Sequence, residues 1–598
     1  MCGFGGVFPL REDELYFERD VFNRFHKNRG GTSPAGPCFQ GNSFIKDLFL
    51  SCTRLSILTT HNPPYISKCG NFCGMFNGEI FNYQSLAAIY NKDNTVQSEL
   101  AIITEMYAHS GSLSLKELEG QFCGIIYDFE QNKIILFRDR LGLTPLYYSF
   151  SKNRIVFSSY QRPIIEIRKK TGINKWAKDS IILTGYNLFN ESLFKGIYEV
   201  MPGEYLTFNM NREKTIRRYY QIEKFVSEKN NPNYKILEEY LEKSLETRIP
   251  DIDFSLLLSS GIDSTLTAIL FNKKNIVPAA TVTLDSTGHY SELVHLKNNL
   301  KFLNYKFPDI ITLSPNSFIK KMKKIIEIEE EPHGDISFFS LWMLAENINN
   351  RNHLIAFSGD FSDELFLGYE DLLQFLNSKK YSFFEYLSNK KQLCLFLKDY
   401  IRYYIIKTDI ETTGSLFKLE HSIEDFIDYT LSYLLHVLHL DCEITIGKLC
   451  IILNIYLLYL KNNSIKADRT SMENGFEIRS LFHYYPLIEY VLSLNSKNLF
   501  KHANQKSMLV DIINERYPIT FEKKMMPTVP FSDWSDSMPE LFYPEGQNKI
   551  LESEFLNYSL IKNVLKIHEK GDKNMFRELR LFYVLSLFEG LTIRKALC

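Results

Sequence analysis

Two short loops carry the residue types that handle a phosphate and a divalent cation. The first, Ser259-Ser260-Gly261-Ile262-Asp263-Ser264, follows the apolar run Phe254–Leu258 and precedes a helix-compatible run, Thr265–Leu270. Small residues let backbone pack closely around a phosphate, and N–H groups at a helix start point at the anion. The hydroxyls of Ser259, Ser260 and Ser264 add donors. Asp263 facing a phosphate makes chemical sense as a Mg²⁺ ligand. No Gly-Lys-Ser/Thr follows, which excludes a Walker A loop. The second loop, Ser358-Gly359-Asp360-Phe361-Ser362-Asp363-Glu364, follows His353–Phe357. If both runs are parallel strands, both loops lie at the edge where open α/β sheets bind ligands. Asp263 and Asp363 are then placed to share one Mg²⁺. The plainer readings are a helix-capping Ser/Gly turn and an acidic surface loop. At the other end of the sequence, removal of Met1 would leave Cys2 with a thiol and a free α-amine. With a pKa of about 8, that amine can activate its own side chain. A cysteine at position 2 by chance is the plain alternative.

The elements around these residues change character along the chain. The first two hundred residues read as β-rich: 72–81, 122–129, 133–137 and 205–208 carry aromatic and β-branched residues bounded by Gly and Asn. The spacing of Leu100, Ile103 and Tyr107 predicts a helix over Glu99–His109. The polar stretch 228–233 reads as a linker, within a boundary segment 221–233 that separates a domain over 1–220 from one over 234–598. After it, Ile236, Leu237, Tyr240, Leu241 and Leu245 mark an amphipathic helix. The apolar runs 254–258, 279–284 and 353–357 read as buried parallel strands. From about residue 370 the chain reads as mostly helical. Ile444–Leu460, interrupted by Lys448 and Asn454, is shorter than the roughly 20 residues of a membrane span and reads as a buried core helix.

The motifs resemble a known family. Ser259–Ser264 and Ser358–Glu364 are similar to the SGGxDS and SGxGxDE signatures of the asparagine synthetase type of ATP pyrophosphatase. Lys466-Ala467-Asp468-Arg469-Thr470-Ser471-Met472, with Glu477-Ile478-Arg479, resembles its K-x-DR-x-SM…E-x-R segment. Met1-Cys2-Gly3, Arg54-Leu55-Ser56-Ile57, Asn77-Gly78-Glu79-Ile80-Phe81-Asn82 and Arg138-Asp139-Arg140-Leu141-Gly142 resemble the family's N-terminal nucleophile glutaminase half. The matches run in family order from residue 2 to about 535. The resemblance implies an αββα N-terminal nucleophile sandwich followed by an α/β PP-loop domain with helical additions. It implies that Cys2 attacks glutamine to release ammonia and that Asn77 and Gly78 form the oxyanion hole, at ~3 kcal/mol per donor. It places Arg54 on the glutamine carboxylate, with Ile57, Glu79 and Gln97 lining the same pocket. For the second half it implies ATP with Mg²⁺ and activation of a carboxylic acid as its acyl-adenylate. Leu258, Ser259, Ser260, Gly261, Ser264, Val282, Ser358 and Gly359 would then hold ATP, and Asp263 and Asp363 the metal. Asp360 would help deprotonate the incoming nitrogen, and Lys506 would neutralise phosphate charge; its plain alternative is a solvated surface lysine.

Several positions depart from the family pattern. Gln97 stands where an acidic residue receives the glutamine α-amino group, losing ~1–2 kcal/mol of charge-assisted contact. Ser260 and Phe361 replace small residues, RGPD reads Arg29-Gly30-Gly31-Thr32, and P-F-L-D reads Leu481-Phe482-His483-Tyr484. Val510 replaces the Arg that often follows at the Lys506 motif. The segment Leu481–Tyr484 and Phe361 lie toward the acceptor, so aspartate is only the default. A sugar uronic acid, a biosynthetic acid, a peptide carboxylate, a lactam-forming branch and a catalytically silent relative are the alternatives.

Composition excludes other classes. The 598 residues carry 69 Lys+Arg against 71 Asp+Glu, a net charge of −2, which argues against nucleic acid or an anionic membrane surface as the main partner. The ten cysteines include no repeated Cys-x-x-Cys pair, so neither a disulfide scaffold nor a zinc ribbon is indicated. Small-molecule substrates and a cytoplasmic location are expected, and a homodimer is left open.

Overall fold

Strict alternation along the N-terminal strands puts one apolar face inward and one outward. Phe4 and Phe8 of strand Gly3–Phe8, with Leu48 and Leu50, meet Cys73, Met75, Cys123, Ile125 and Tyr127 of a second sheet in a buried layer. The opposite faces carry helices. Val7, Phe49 and Val156 pack under Leu15–Arg29, Gln161–Arg168 and Lys175–Thr184. Phe122, Ile126 and Ile135 pack under Tyr83–Tyr90 and Glu99–Ser110. Two antiparallel six-stranded sheets thus sit between two helical layers, the αββα sandwich. The computed structural model describes residues 3–9, 15–29, 38–55, 63–90, 98–151, 154–169, 171–285, 293–301, 303, 305, 308–406, 416–439, 443–499, 506–515, 519, 521, 534, 553–557, 576–589 and 591.

The strands read from sequence are present with slightly different ends: Phe72–Ile80, Gly120–Asp128, Lys133–Arg138 and Glu204–Asn209 lie side by side in the second sheet. The polar stretch 228–233 is docked rather than free. The Asn230 and Asn495 backbones exchange bonds with their neighbours (Asn230 N to Ser493 O 3.2 Å, Asn495 N to Asn230 O 2.7 Å), and the Glu228 carboxylate accepts from Ser496 N at 2.5 Å.

Asn233 then caps helix Tyr234–Arg248 through its side chain. The chain continues into a five-stranded parallel sheet ordered Asp309–Thr312, Ala280–Asp285, Ser255–Leu257, Ile355–Ser358, Glu477–Ser480. The order reverses between Ser255–Leu257 and Ile355–Ser358, and a crevice at such a switch point is where this architecture binds ligands. The expected helix over Ile444–Leu460 is more complex. A short strand, Ile444–Thr445, leads into helix Ile446–Leu453, a π-helical stretch over Asn454–Asn463 and helix Ser464–Glu473. From the π stretch Tyr459 lines the cavity between the two halves and Lys461 reaches Glu199 of the sandwich, a placement such bulges commonly serve. Among the described residues no helix is long and apolar enough to cross a membrane.

Candidate active site

The two halves meet around a cavity of about 70 Å³. Gly3, Asn77 and Gly78 line it from the sandwich; Asp360, Tyr459 and Asp468 line it from the parallel-sheet half. Asn77 and Gly78 lie near the end of strand Phe72–Ile80, facing Cys123 and Phe122 of the next strand. Gly78 adopts φ +117°, and a Cβ there would sit 2.0 Å from the Gln121 carbonyl oxygen. Only glycine fits both constraints. Asn77 is buried, so its amide is held rather than mobile. Cys2, Ile57 and Gln97 lie outside the described residues. Arg54 lies in strand Leu48–Leu55 opposite Phe39.

Glu79 both lines the cavity and ion-pairs with Arg479 of the other half. Arg479 also donates to Glu477 at 2.8 Å and to the Arg248 carbonyl at 2.5 Å. Burial holds its pKa down at about 9. The two halves are joined at a second buried point: Glu199 accepts from Arg138 at 2.6 Å and from Lys461 at 2.5 Å. Burial opposes the charge on Glu199, but the two cations outweigh it and hold its pKa at about 2. Sequence reading missed Glu99, a buried carboxylate on the cavity wall that accepts from Ile80 N at 2.8 Å. Its signal was the helix start at Ser98, which caps Ala101 N.

At the switch point the first loop folds on itself. Ser264 Oγ donates to the Ser259 carbonyl at 3.1 Å and accepts from Ser259 N at 3.1 Å, and Gly261 N donates to Ser259 Oγ at 3.2 Å. Asn299 holds the Ser260 carbonyl at 3.2 Å. Helix Ile262–Lys273 starts there, with Asp263 in its first turn. Leu258 N bonds the Val282 carbonyl at 2.9 Å, which brings those two positions together at the sheet edge. Gly359 lets the second loop press on the first, since a Cβ there would fall 2.6 Å from Asp263 Cβ. Ser358 ends strand Ile355–Ser358 and accepts from Asp360 N at 3.4 Å.

Lys506 sits between the two carboxylates, 2.6 Å from Asp263 Oδ2 and 2.6 Å from Asp363 Oδ1. It is 5% exposed, which rules out a solvated surface lysine. Ser362 Oγ adds a bond to Asp263 Oδ1 at 2.6 Å. Gly368, which sequence reading missed, makes room for this bridge, because a Cβ would fall 2.2 Å from Lys506 Cε. One cation is thus shared by two hard oxygen donors. That donor set suits Mg²⁺, which is commonly bound by one or two carboxylates together with substrate phosphates. Among the described residues no group of three or more His, Cys, Asp or Glu is poised to hold a metal. Any Mg²⁺ here would therefore draw its remaining ligands from substrate and water.

Burial pushes the Asp360 carboxyl up; Ser358 and Lys466 oppose this, and Asp263 and Asp363 reinforce it, for a net rise. Phe361, at φ +75° and buried, packs edge-on against Tyr459 with ring centroids 4.7 Å apart. Tyr459 Oη lies 2.5 Å from His483 Nε2, and burial lowers the His483 pKa to about 3, so the imidazole is neutral. The two departures Phe361 and His483 therefore meet at one wall.

A family model for the glutamine amidotransferase domain matches residues 1–220, and one for asparagine synthase matches residues 237–589, more than half of the chain. The chain belongs to the asparagine synthase family. Within that family it is 26% identical over 399 residues to a putative glutamine-hydrolysing asparagine synthetase of Methanocaldococcus jannaschii, covering 62% of this chain and 76% of the relative. It is 24% identical to the amidase chry2 of Gibberella zeae, covering 57% and 54%, and 26% identical to asparagine synthetase 2 of Bacillus subtilis, covering 62% and 53%. The matches to the last two span about half of each relative's length. The two matches put a glutamine amidotransferase domain ahead of an asparagine synthase domain in this chain.

Proposed function

We propose that the N-terminal half hydrolyses glutamine at Cys2 and that the C-terminal half uses the ammonia to amidate an ATP-activated carboxylic acid, by default aspartate. The observation that carries this reading is the cavity between Asn77–Gly78 and Asp360–Asp468. A water needs roughly 10–15 Å³ of such space, so about 70 Å³ has room for several molecules the size of ammonia. Gly3, the residue after Cys2, lines its sandwich end. Asn77 and Gly78, with Cys2, would stabilise the tetrahedral oxyanion, and Arg54, Ile57, Glu79 and Gln97 would hold glutamine.

At the other end an acceptor carboxylate oxygen attacks the α-phosphorus of ATP, and pyrophosphate leaves. Ammonia then attacks the acyl carbon, AMP departs with the electron pair, and the nitrogen gives up a proton. Asp360, with its raised pKa and its place on the cavity wall, is the group to take that proton. Leu258, Ser259, Ser260, Gly261, Ser264, Val282, Ser358 and Gly359 would bind the nucleotide. Asp263 and Asp363 would hold Mg²⁺, which, when bound, neutralises pyrophosphate charge. Lys506, already between these carboxylates, would turn to the phosphates when the metal takes its place.

A second reading keeps the chemistry and changes the acceptor. It is favoured by the Phe361–Tyr459–His483 wall, which presents rings and a neutral imidazole rather than charge. The test is Cys2→Ala: glutamine-dependent pyrophosphate release should vanish while ammonia-dependent release persists. Loss of both would refute the two-site scheme. A panel of carboxylic acids with ATP and ammonia decides the acceptor.

A further inference from the structure

An ammonium has three N–H donors, and Lys506 commits all three. Its Nζ stands 2.7 Å from Asp263 Oδ1, 2.6 Å from Asp263 Oδ2 and 2.6 Å from Asp363 Oδ1. Those oxygens surround the point that a metal shared by Asp263 and Asp363 would take. Mg²⁺ needs its oxygens at about 2.0–2.1 Å, so the ammonium and the metal cannot occupy that point together. The backbone keeps Lys506 there. It adopts φ +52°, a left-handed conformation uncommon for any residue but glycine, at the start of helix Ser507–Asn514. Met508, Leu509, Ile512 and Ile513 bury the inner face of that helix. Tyr234 Oη, on helix Tyr234–Arg248, donates to its Asp511 Oδ2 at 2.9 Å. Gly368 clears the remaining space: a Cβ there would fall 1.9 Å from Asp363 Oδ1 as well as 2.2 Å from Lys506 Cε.

The acids next to the bridge are engaged elsewhere or held back from full charge. Burial, and then the charge of Asp363, pushes the Glu364 carboxyl up to about 7. Glu364 also accepts from Tyr369 Oη at 2.6 Å and from Asn463 Nδ2 at 2.9 Å. Burial raises Asp360 too, and the charges of Asp263 and Asp363 reinforce that rise. A dication arriving alone would therefore push the ammonium out of its bridge, and a buried charge parted from its partners is costly. A polyphosphate changes that balance in one step. It brings anionic oxygens that receive the ammonium and further oxygen ligands that complete the shell of the metal.

We infer that Lys506 is a built-in counterion switch: it fills the metal position until a polyphosphate receives it, so that divalent metal binds this protein only together with nucleotide phosphate or pyrophosphate. This rests on the reading above that assigns Asp263 and Asp363 to Mg²⁺. It goes further by giving Lys506 a task before any phosphate arrives and by fixing the order of binding. Metal and polyphosphate enter together, and they leave together, because the ammonium returns to the carboxylates once its phosphate partner departs. Coupling of this kind is reciprocal: whatever factor the polyphosphate lends to metal binding, the metal lends to polyphosphate binding.

The test measures binding rather than turnover. It uses the full chain with Mn²⁺, which oxygen sites take as they take Mg²⁺, and no acceptor acid or nitrogen donor. Water-proton relaxation tells Mn²⁺ on the protein from Mn²⁺ on free ATP. In the parent protein the Kd for Mn²⁺ should be ~10–100-fold lower with saturating ATP or pyrophosphate than with neither. Lys506→Met removes the internal cation, so Mn²⁺ alone should bind ~10-fold tighter or more than it does to the parent, and its coupling to pyrophosphate should shrink. Lys506→Arg keeps a cation and should keep Mn²⁺ alone out. A folded Lys506→Met that binds Mn²⁺ alone no tighter than the parent would overturn the switch, and so would a parent that binds Mn²⁺ equally with and without polyphosphate. If neither ATP nor pyrophosphate brings Mn²⁺ onto the parent, the assignment of a nucleotide and metal site fails and the switch fails with it. Should Lys506→Met not fold, thermal unfolding of the parent decides. Its melting temperature should ignore Mn²⁺ alone and rise with Mn²⁺ plus pyrophosphate; a rise with Mn²⁺ alone would overturn the proposal.

Discussion

The two ends of the cavity are built on opposite principles. At the sandwich end, position is set by backbone: Asn77 and Gly78 lie near the end of a fully paired strand, and the Gly78 conformation leaves no room for a side chain. At the parallel-sheet end, position is set by charge: Asp263, Asp363 and Lys506 hold one another across two loops and a helix start. A rigid ladder would keep the proposed oxyanion donors where they are, so that no reorganisation is needed at reaction. A charge cluster can exchange its internal cation for Mg²⁺ and phosphate, because its parts are bound by contacts that a ligand can replace. The first end is therefore fragile to steric change, and the second to loss of charge.

The sharpest way to break this contrast is Asp263→Asn. It removes one of two carboxylates from both the Lys506 bridge and the proposed Mg²⁺ site. ATP–pyrophosphate exchange should fall by on the order of 10³-fold or more, with glutamine and with ammonia alike, while glutaminase activity persists. Unchanged exchange would show that the carboxylates are structural. Gly78→Ala should act next. A Cβ 2.0 Å from the Gln121 carbonyl forces the strand apart at the oxyanion donors. Glutamine-dependent turnover should drop ~10²–10³-fold, and ammonia-dependent turnover should stay within about twofold. A comparable loss with ammonia would mean that the distortion reaches Asp360 and that the two ends are not independent.

Much of this was legible in the sequence for a physical reason. Strands such as Phe72–Ile80 and Lys133–Arg138 announce themselves through runs of aromatic and β-branched residues, and the two loops proposed to bind nucleotide through small residues flanking Asp263 and Asp363. The five-stranded order was not legible, because Glu477–Ser480 is short and charged; it is buried only by pairing with Ile355–Ser358. Lys506 stood open between a surface and a site reading, since nothing local tells a lysine how deep it will be placed. Gly368 gave no local signal at all, because the side chain it makes room for, Lys506, comes from far along the chain.

The smallest effect concerns the contact between the two ends. Glu199 has a depressed pKa, about 2 against an ordinary 4.5, so it stabilises the folded state above pH 4.5 and loses that contribution as pH falls toward 2. At about 1.4 kcal/mol per pKa unit the bridge is worth ~3 kcal/mol at neutral pH. Glu199→Gln should remove this pH-dependent part and leave the buried Arg138 and Lys461 cations facing a neutral amide. Thermal unfolding followed from pH 7 to pH 3 should then show a shallower acid decline in the variant than in the parent protein. Because Arg138 also donates to the carbonyls of Thr144 (2.8 Å) and Val200 (2.7 Å), the sandwich should stay folded while its docking to the π-helical stretch weakens. That predicts a selective loss of glutamine-driven over ammonia-driven turnover, as ammonia escapes at the loosened junction. Equal loss of both would place the bridge in the stability of each half rather than in the seal between them.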